Sequence, residues 1–172
     1  MLERLGKNNF DEIYRILSDS FTRDEMRPYD KQKELLDNRI YKVYGVMDAE
    51  RLKAFAAVYE LDGMLFLEHL AVSEEYRNMG LGAKILSELI ALGKNVCLEV
   101  ELPNTDINKR RIAFYERNGF FLNDYGYIQP PLAEGQNPIE LKIMTFGRAL
   151  GESEFAALRD MIYEKVYRIN IE

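Results

Sequence analysis

A segment with two closely spaced glycines links an apolar run to a long stretch of helical periodicity. Residues 70–72 end the apolar run, residues 73–78 are polar, and Gly80 and Gly82 open the periodic stretch. The first turn of a helix presents unpaired N–H groups and the positive end of the helix dipole, which together suit a phosphate. The glycines remove side chains that would block a diphosphate, and Arg77 can add a charge-assisted contact. A plain turn at a helix start has the same pattern, so both interpretations stay open for this segment alone.

Two segments taken together resemble the GNAT acetyltransferases. The pattern L-A-V-x-x-x-Y-R-x-x-G-x-G over residues 70–82 is similar to that family's acetyl-CoA-binding signature. Residues 108–120 resemble its N-x-x-A-x-x-F-Y-x-x-x-G-F segment, at the expected distance and order. Two other phosphate loops, G-x-x-x-x-G-K-S/T and G-x-G-x-x-G after a first strand, do not fit. The resemblance implies an N-acetyltransferase that moves an acetyl group from acetyl-CoA to a primary amine by direct attack in a ternary complex.

The resemblance also implies how acetyl-CoA, the cosubstrate, is held. Residues 70–72 offer backbone groups to the pantetheine arm, and the backbone of residues 77–83 surrounds the pyrophosphate. Asn108 matches a position that contacts the cofactor arm, and Tyr115 matches a tyrosine that protonates the departing thiolate. The implied cofactor-binding residues are Leu70, Ala71, Val72, Arg77, Asn78, Met79, Gly80, Leu81, Gly82, Ala83, Asn108 and Tyr115. No metal is implied.

Three glutamates are candidates for handling the proton of the amine. An alkylammonium has a pKa near ~10.4 and must lose a proton before it attacks, and a carboxylate can accept it. Glu68 is the candidate catalytic base, because it precedes Leu70 by two residues where the family often places an acid/base residue. Glu99 and Glu101 alternate on a neighbouring strand, so they could shape an acidic amine pocket or relay the proton through water. Each of the three is also open to interpretation as a solvated strand carboxylate.

Three further residues are candidate contacts for the acceptor substrate. Glu25 and Tyr29 follow the first predicted helix, where GNAT substrates usually enter, and Tyr127 lies near residues 129–131. Loops set specificity on a rigid scaffold, although tyrosines also fill ordinary surface. The implied partner is an amine-bearing small molecule or a peptide.

Three residues favour a structural interpretation. The only histidine, His69, should face the opposite side of a regular strand from Glu68. Cys97 lies within an apolar run and is expected to be buried rather than nucleophilic. Arg111 stands where the family usually has a small alanine, and its helix is expected to turn the long side chain outward.

Other functions compete with acetyl transfer to a small amine. Within enzymes, the donor could be a longer acyl-CoA, or the acceptor a protein or peptide N-terminus. A sensor or interaction module could bind acyl-CoA without catalysis, but the presence of Tyr115 and Glu68 beside the phosphate loop favours an enzyme. A nucleic-acid-binding module is disfavoured, because no basic stripe interleaved with aromatic residues occurs.

The elements that must position these residues follow from the spacing of apolar positions. Helices are predicted at residues 8–19, 30–38 with Asp30 as N-cap, 79–92, 108–118 and 152–168. Strands are predicted at residues 40–47, 52–61, 64–72, 95–102, 120–129 and 139–146. The expected fold is α/β and GNAT-like, a mixed sheet of about six to seven strands in the order ααβββαβαββα with helices on both faces.

Length, charge and cysteine content limit the remaining possibilities. The 172 residues predict one domain spanning 1–172, with 151–172 as a C-terminal helix extension. The net charge of −6 repels nucleic acid and weakly favours a cationic partner. The absence of a long apolar run and of a secretory signal predicts a cytoplasmic protein without membrane contact. A single cysteine excludes an intramolecular disulfide, and the last helix leaves a homodimer open.

Overall fold

The computed structural model describes residues 1–169, in which seven strands form one mixed sheet between layers of helix. The strands are β1 (Glu3–Leu5), β2 (Tyr41–Asp48), β3 (Arg51–Leu61), β4 (Met64–Val72), β5 (Asn95–Glu101), β6 (Phe120–Gln129) and β7 (Ile139–Phe146). The helices are α1 (Phe10–Ser20), α2 (Tyr29–Glu34), α3 (Leu81–Ile90), α4 (Asp106–Arg117) and α5 (Glu152–Lys165). The strands follow the order β1-β2-β3-β4-β5-β7-β6, and β4 and β5 pair in parallel because α3 provides the crossover.

The predicted α/β class and the mixed sheet are confirmed, and the predicted order of elements is found with one strand, β1, added before it. All six predicted strands occur within one residue of their predicted bounds. Gly63, with a φ of 69°, turns the chain between β3 and β4 as the Asp-Gly signal indicates. The added strand β1 escapes prediction because three residues carry too little alternation, and its pairing with β2, through Glu3 and Gly45, is long-range.

Four of the five predicted helices begin one or two residues away from their predicted starts, and α2 and α3 show the physical cause. α2 begins at Tyr29, directly after Pro28, so the prediction of Asp30 as N-cap is wrong and Asp30 lies in the first turn. Proline supplies an extended residue that leads into a helix without needing a side-chain cap. α3 begins at Leu81 rather than at residue 79, because Gly80 adopts a left-handed φ of 75° that a helix cannot contain.

Apolar side chains form separate cores on the two faces of the sheet. One core lies under α1 and α5 and includes Ile13, Leu17, Phe155, Leu158 and Ile162. The other lies under α3 and α4 and includes Ile85, Leu86, Leu89 and Ile112. Burial on both faces holds the middle strands rigidly, so any opening between them has a fixed shape.

The pairing between β4 and β5 stops partway along both strands. The parallel register ends where Leu67 faces Leu98, whereas β4 continues to Val72 and β5 to Glu101. The two strands diverge beyond this point, so the backbone groups along their facing edges are available to a ligand. The predicted cofactor strand and the predicted carboxylates therefore border one gap.

Part of the predicted C-terminal extension, residues 170–172, lies outside the described residues. Among residues 1–169, no helix combines the length and apolar content that a membrane span requires. The same range contains no group of three or more His, Cys, Asp or Glu side chains arranged to hold a metal ion.

Candidate active site

An acidic recess occupies the gap between β4 and β5. We call it the acidic cleft, and its lining residues are Phe21, Glu25, Leu67, Glu68, His69, Leu70, Leu98, Glu99, Val100, Glu101, Arg111, Tyr115, Gln129 and Leu141. The diverging strands supply most of this lining, and the loop after α1 and helix α4 supply much of the rest. Four glutamates face one arginine in this set, so the cleft suits a cationic group.

Glu68 lies in the cleft within a buried ion pair. Its carboxylate contacts the Arg27 guanidinium at 3.1 Å (Nη1–Oε2) and 2.9 Å (Nη2–Oε1), and the two side chains are 4% and 9% exposed, respectively. Burial alone would raise the pKa of Glu68, but the positive charge of Arg27 outweighs it and the net shift is downward. Glu68 is therefore a charged and firmly held carboxylate, and its role as base stays a prediction.

A β-bulge places Glu68 and His69 on the same side of β4. Ala57 faces His69 and Val58 faces Leu67 across the β3–β4 pair, so Glu68 is the extra residue between them. His69 Nδ1 consequently lies 3.5 Å from Glu68 Oε2. The prediction that the two side chains face opposite sides is wrong, because it assumes a regular strand.

The surroundings of His69 and Cys97 are those of core residues. His69 Nε2 lies 2.8 Å from the carbonyl oxygen of Glu25, and its ring packs edge-on against Phe21. Burial lowers the pKa of His69, so the imidazole is neutral at pH 7. Cys97 is fully buried within the apolar core, and burial raises the pKa of its thiol.

Glu99 lies across the gap from Glu68 and is surrounded by hydroxyl groups. Its Oε1 accepts a hydrogen bond of 2.5 Å from the Tyr167 hydroxyl, and Tyr127 faces the same carboxylate. Burial raises the pKa of Glu99 to about 7, although the two tyrosine hydroxyls lower it. Glu99 therefore changes charge near neutral pH.

Glu25 and Glu101 lie close together in the partly exposed portion of the cleft. Glu25 Oε1 accepts hydrogen bonds from the backbone N–H and the hydroxyl of Thr22, at 3.1 and 2.7 Å. Burial and the neighbouring Glu25 raise the pKa of Glu101, and Arg111, with Nη1 3.9 Å from Oε1, lowers it. Two adjacent carboxylates repel each other, so a cation placed between them would be stabilised.

A second recess lies along the N-terminus of α3. We call it the loop groove, and its lining residues are Leu70, Val72, Tyr76, Arg77, Asn78, Gly80, Leu81, Gly82, Ala83, Arg110, Arg111, Phe114 and Tyr115. A Cβ on Gly80 would meet no atom within 4 Å, so the glycine borders open space. A Cβ on Gly82 would lie 3.2 Å from Cζ of Phe114, so this glycine lets the Phe114 ring pack against α3. The groove combines a helix N-terminus with arginine side chains, which suits a diphosphate.

The edge of β4 extends the loop groove into the gap. The Ser73 N–H donates to the Lys53 carbonyl of β3 at 2.8 Å, and backbone groups alternate between the two sides of an antiparallel strand. Leu70 and Val72 therefore direct their N–H and C=O groups away from β3, and the Val72 carbonyl accepts from Arg77 Nε at 3.3 Å. An extended ligand with amide groups can pair with this edge as an added strand.

Tyr115 stands where the loop groove and the acidic cleft meet. Together with Leu70 and Arg111, it lines both recesses. Its ring packs against Phe114 and Phe120, which fixes its direction. Burial raises the pKa of Tyr115 to about 12, although Arg111 lowers it, so the hydroxyl is a proton donor at neutral pH.

The side chain of Arg111 turns toward the cleft. Residues four apart share one face of a helix, and Tyr115 on the same helix faces the sheet. The Arg111 side chain therefore also points toward the sheet. It is 38% exposed, and its guanidinium approaches the Glu101 carboxylate. The prediction that this side chain turns outward is wrong.

Three residues assigned to the cofactor by resemblance do not line the loop groove. Ala71 is buried in the sheet, and Met79 is exposed to solvent. Asn108 lies in the first turn of α4, where its side-chain amide donates to the Leu102 carbonyl at 3.1 Å. This bond ties the end of β5 to α4 and so shapes the gap between the recesses.

The two predicted tyrosine contacts of the acceptor lie outside the lining of the acidic cleft. Tyr29 is on the surface, where its hydroxyl donates to Asp11 Oδ1 at 2.5 Å. Tyr127 is buried and stacks on Tyr163, so it supports Glu99 from behind.

Three residues of the site are missing from the sequence prediction. Arg27 and Gln129 come from segments distant in sequence, and the Gln129 side chain donates to the Asp24 carbonyl at 3.0 Å. No local pattern marks either of them. Tyr167 had a detectable signal, because Tyr163 and Tyr167 are four residues apart near the end of the predicted last helix and so share a face.

Comparisons with known proteins agree with this geometry. A family model described as "Acetyltransferase (GNAT) family" matches residues 10–120. YjbC of Bacillus subtilis (strain 168), a proposed acetyltransferase, is 28% identical over 158 residues, which cover 90% of this chain and 80% of YjbC. A proposed GNAT-family acetyltransferase from Bacteroides thetaiotaomicron superposes with a TM-score of 0.88 at 26% identity over 99% of each chain.

A more distant structure shares the fold alone. The PaiA N-acetyltransferase from Thermoplasma acidophilum, solved in complex with coenzyme A, has a TM-score of 0.60 at 15% identity over 85% of this chain and 97% of PaiA. The family match extends from α1 to the start of β6 and so includes both glycines of the loop groove and Tyr115. By its matched residues and its fold, the chain belongs to the GNAT family of acetyltransferases.

Proposed function

We propose that this chain transfers the acetyl group of acetyl-CoA to a primary amine by direct attack in a ternary complex. Acetyl transfer follows from the family, whereas the donor and the acceptor class are inferred from the two recesses. The observation that carries the proposal is their meeting at Tyr115. A groove suited to an anionic donor opens there into a cleft suited to a cationic acceptor.

The loop groove fits the diphosphate and pantetheine parts of acetyl-CoA. Gly80 leaves open space beside the first turn of α3, and the Arg77 side chain lies next to the edge of β4. The free backbone groups of Leu70, which point away from β3, can pair with the amides of the pantetheine arm. The PaiA structure contains coenzyme A, which supports the same cosubstrate here.

The acidic cleft fits the ammonium group of the acceptor. Glu25, Glu68, Glu99 and Glu101 line it and attract a cation before one of its protons is removed. The Val72 N–H faces the gap and can donate to the oxyanion that forms when the amine attacks the thioester carbonyl. The Tyr115 hydroxyl can protonate the departing thiolate.

Release of free thiol tests the proposal directly. The protein is incubated with acetyl-CoA and a panel of primary amines, and coenzyme A release is followed with a thiol reagent. Release that depends on an amine is expected. Stabilisation by coenzyme A without release on any amine would instead favour a non-catalytic acyl-CoA-binding protein.

Replacing Tyr115 tests its assigned role. Tyr115→Phe should lower kcat at least about tenfold and leave coenzyme A affinity nearly unchanged, because only the proton donor is lost. Tyr44→Phe on β2, a tyrosine that lines neither recess, is the matched control. Equal rates for the parent protein and Tyr115→Phe would remove the assignment.

A further inference from the structure

The carboxylates of the acidic cleft differ in their ability to accept a proton. Glu68 makes two contacts with Arg27 that hold it in the charged form, and such a carboxylate is a weak base. Accepting a proton would also leave Arg27 buried without its counter-charge. Glu101 is more exposed, and it lies beside Arg111.

Glu99 has the opposite surroundings. Its Oε1 is held by the Tyr167 hydroxyl at 2.5 Å. Its Oε2 is buried and accepts no hydrogen bond from any residue in the range 1–169, and the Tyr127 hydroxyl that faces the same carboxylate likewise has no partner. A buried carboxylate oxygen that no hydrogen bond holds is costly, and Glu99 has no cation in contact to offset that cost, so the oxygen is disposed to accept a proton or to contact a donor brought by the substrate. Glu99 also belongs to the lining of the cleft that ends at Tyr115.

We propose that Glu99, rather than Glu68, accepts the proton of the substrate ammonium, and that Tyr167 is a positioning residue for it. This proposal rests on the acetyl transfer proposed above. Glu68 then serves as the counter-charge of Arg27, and Glu99 is the carboxylate of the cleft that takes the proton. The raised pKa of Glu99, about 7, is consistent with this role, because a base is most effective when its pKa is near the operating pH.

The proton balance of the reaction is complete with these groups. Glu99 takes one proton from the ammonium directly or through one water, and the neutral amine forms the C–N bond with the thioester carbonyl. The C–S bond breaks, and Tyr115 gives its proton to the thiolate. The second proton of the nitrogen returns to the Tyr115 oxygen, and Glu99 releases its proton to solvent. One proton is released for each amide formed.

The titration of Glu99 is set by groups from several elements. Those that face or influence it are Arg27, Glu68 on β4, Cys97 on its own strand, Tyr127 on β6, Tyr163 on α5 and Tyr167 after α5. The tyrosines are protonated at neutral pH because burial raises each pKa, and burial also keeps the Cys97 thiol protonated. Near pH 7 the charge in this group therefore changes at Glu99.

The test is the pH dependence of kcat/KM for the parent protein, Glu99→Gln and Glu68→Gln. In the parent protein kcat/KM should rise to a plateau with an apparent pKa near 7. In Glu99→Gln the plateau should vanish, and kcat/KM should rise about tenfold per pH unit up to the pKa of the amine, because only free amine reacts. Its value at pH 7 should fall by about a hundredfold or more. Glu68→Gln should keep the acid limb of the profile.

A second variant separates positioning from packing. Tyr167→Phe removes a hydrogen bond that stabilises the charged carboxylate, so the acid limb should move to higher pH while the plateau persists. An unchanged limb in both Glu99→Gln and Tyr167→Phe, or loss of the limb in Glu68→Gln alone, would overturn the proposal. Coenzyme A binding and the unfolding midpoint are measured in parallel to show that each variant is folded. Absence of turnover in the parent protein would instead contradict the proposed function.

Discussion

At the scale of single residues, the site depends on which groups stabilise the negative charges of two buried carboxylates, Glu68 and Glu99. The Glu68 carboxylate contacts the Arg27 guanidinium, whereas the Glu99 carboxylate is held by the Tyr167 hydroxyl. Opposite surroundings push the pKa values of neighbouring groups apart, and such pairs divide structural and chemical roles between them. The two glutamates are distinguishable by stability measurements that need no substrate.

The first measurement concerns the Arg27–Glu68 ion pair. Arg27→Met should lower the free energy of unfolding by about 3–5 kcal/mol, because it leaves a buried carboxylate without its counter-charge. The double variant Arg27→Met/Glu68→Gln should recover part of this loss. Lys42→Met, which breaks the more exposed pair with Glu60, should change stability by about 0–1 kcal/mol. Urea denaturation measures all three, and an Arg27→Met loss no larger than that of Lys42→Met would contradict the argument.

The second measurement concerns the charge on Glu99. Folding raises its pKa from 4.5 to about 7, so the parent protein loses stability as pH rises from about 4.5 to about 7 and Glu99 becomes charged. Glu99→Gln does not pay this electrostatic penalty, and its stability relative to the parent should increase over that window by about 1–3 kcal/mol. Glu140→Gln, an exposed glutamate on β7, is the control. A constant difference across the window would show that Glu99 titrates normally.

Single residues also mark the limit of sequence reasoning. Strand alternation and motif spacing are local properties of the sequence. They are enough to predict that four residues border one gap: Glu68, Glu99, Glu101 and Tyr115. Arg27 escaped prediction because a long polar side chain in a loop can point in many directions, and only the tertiary fold selects one.

At the scale of elements, the sequence predicts strands better than their irregularities. Alternation and the Asp-Gly turn located β3 and β4, and apolar periodicity located α3 and α4 within a few residues. The bulge in β4 has no local signature, because it is a mismatch in register between two strands. That single added residue reversed the predicted side of His69. The divergence of β4 from β5 is likewise a property of the assembled sheet.

Helix α3 offers an internal control for the loop groove. Gly80 and Gly93 flank its two ends, both with left-handed φ angles of 75° and 79°, and a Cβ at either would meet no atom within 4 Å. An alanine should therefore cost each site a similar free energy of about 1 kcal/mol. Only Gly80→Ala should also weaken coenzyme A binding, by about tenfold, because its methyl group enters the diphosphate site at the helix N-terminus.

Calorimetry with coenzyme A measures both variants. Gly93→Ala should bind within about twofold of the parent protein, since it lies at the far end of the helix. Equal affinities for the two variants would show that the N-terminus of α3 does not hold the diphosphate.

At the scale of the whole molecule, charge and shape act together on the two substrates. The net charge is −6, and four of the negative side chains line the acidic cleft. The electrostatic potential of the whole protein and that of the cleft are therefore both negative, and both attract a cationic acceptor amine. Binding of the anionic donor depends instead on short-range contacts in the loop groove, against the field of the whole protein.

This arrangement predicts how salt affects the acceptor. The Debye length falls from about 30 Å at about 0.01 M salt to below about 8 Å at about 0.3 M, so added salt screens the attraction. The KM of an alkylammonium acceptor should rise about two- to fivefold over that range. An aromatic amine that is uncharged at pH 7 should show a nearly constant KM, because it carries no charge to be attracted. Steady-state kinetics at saturating acetyl-CoA compares the two amines, and equal salt effects on both would show that the acidic cleft does not select its acceptor by charge.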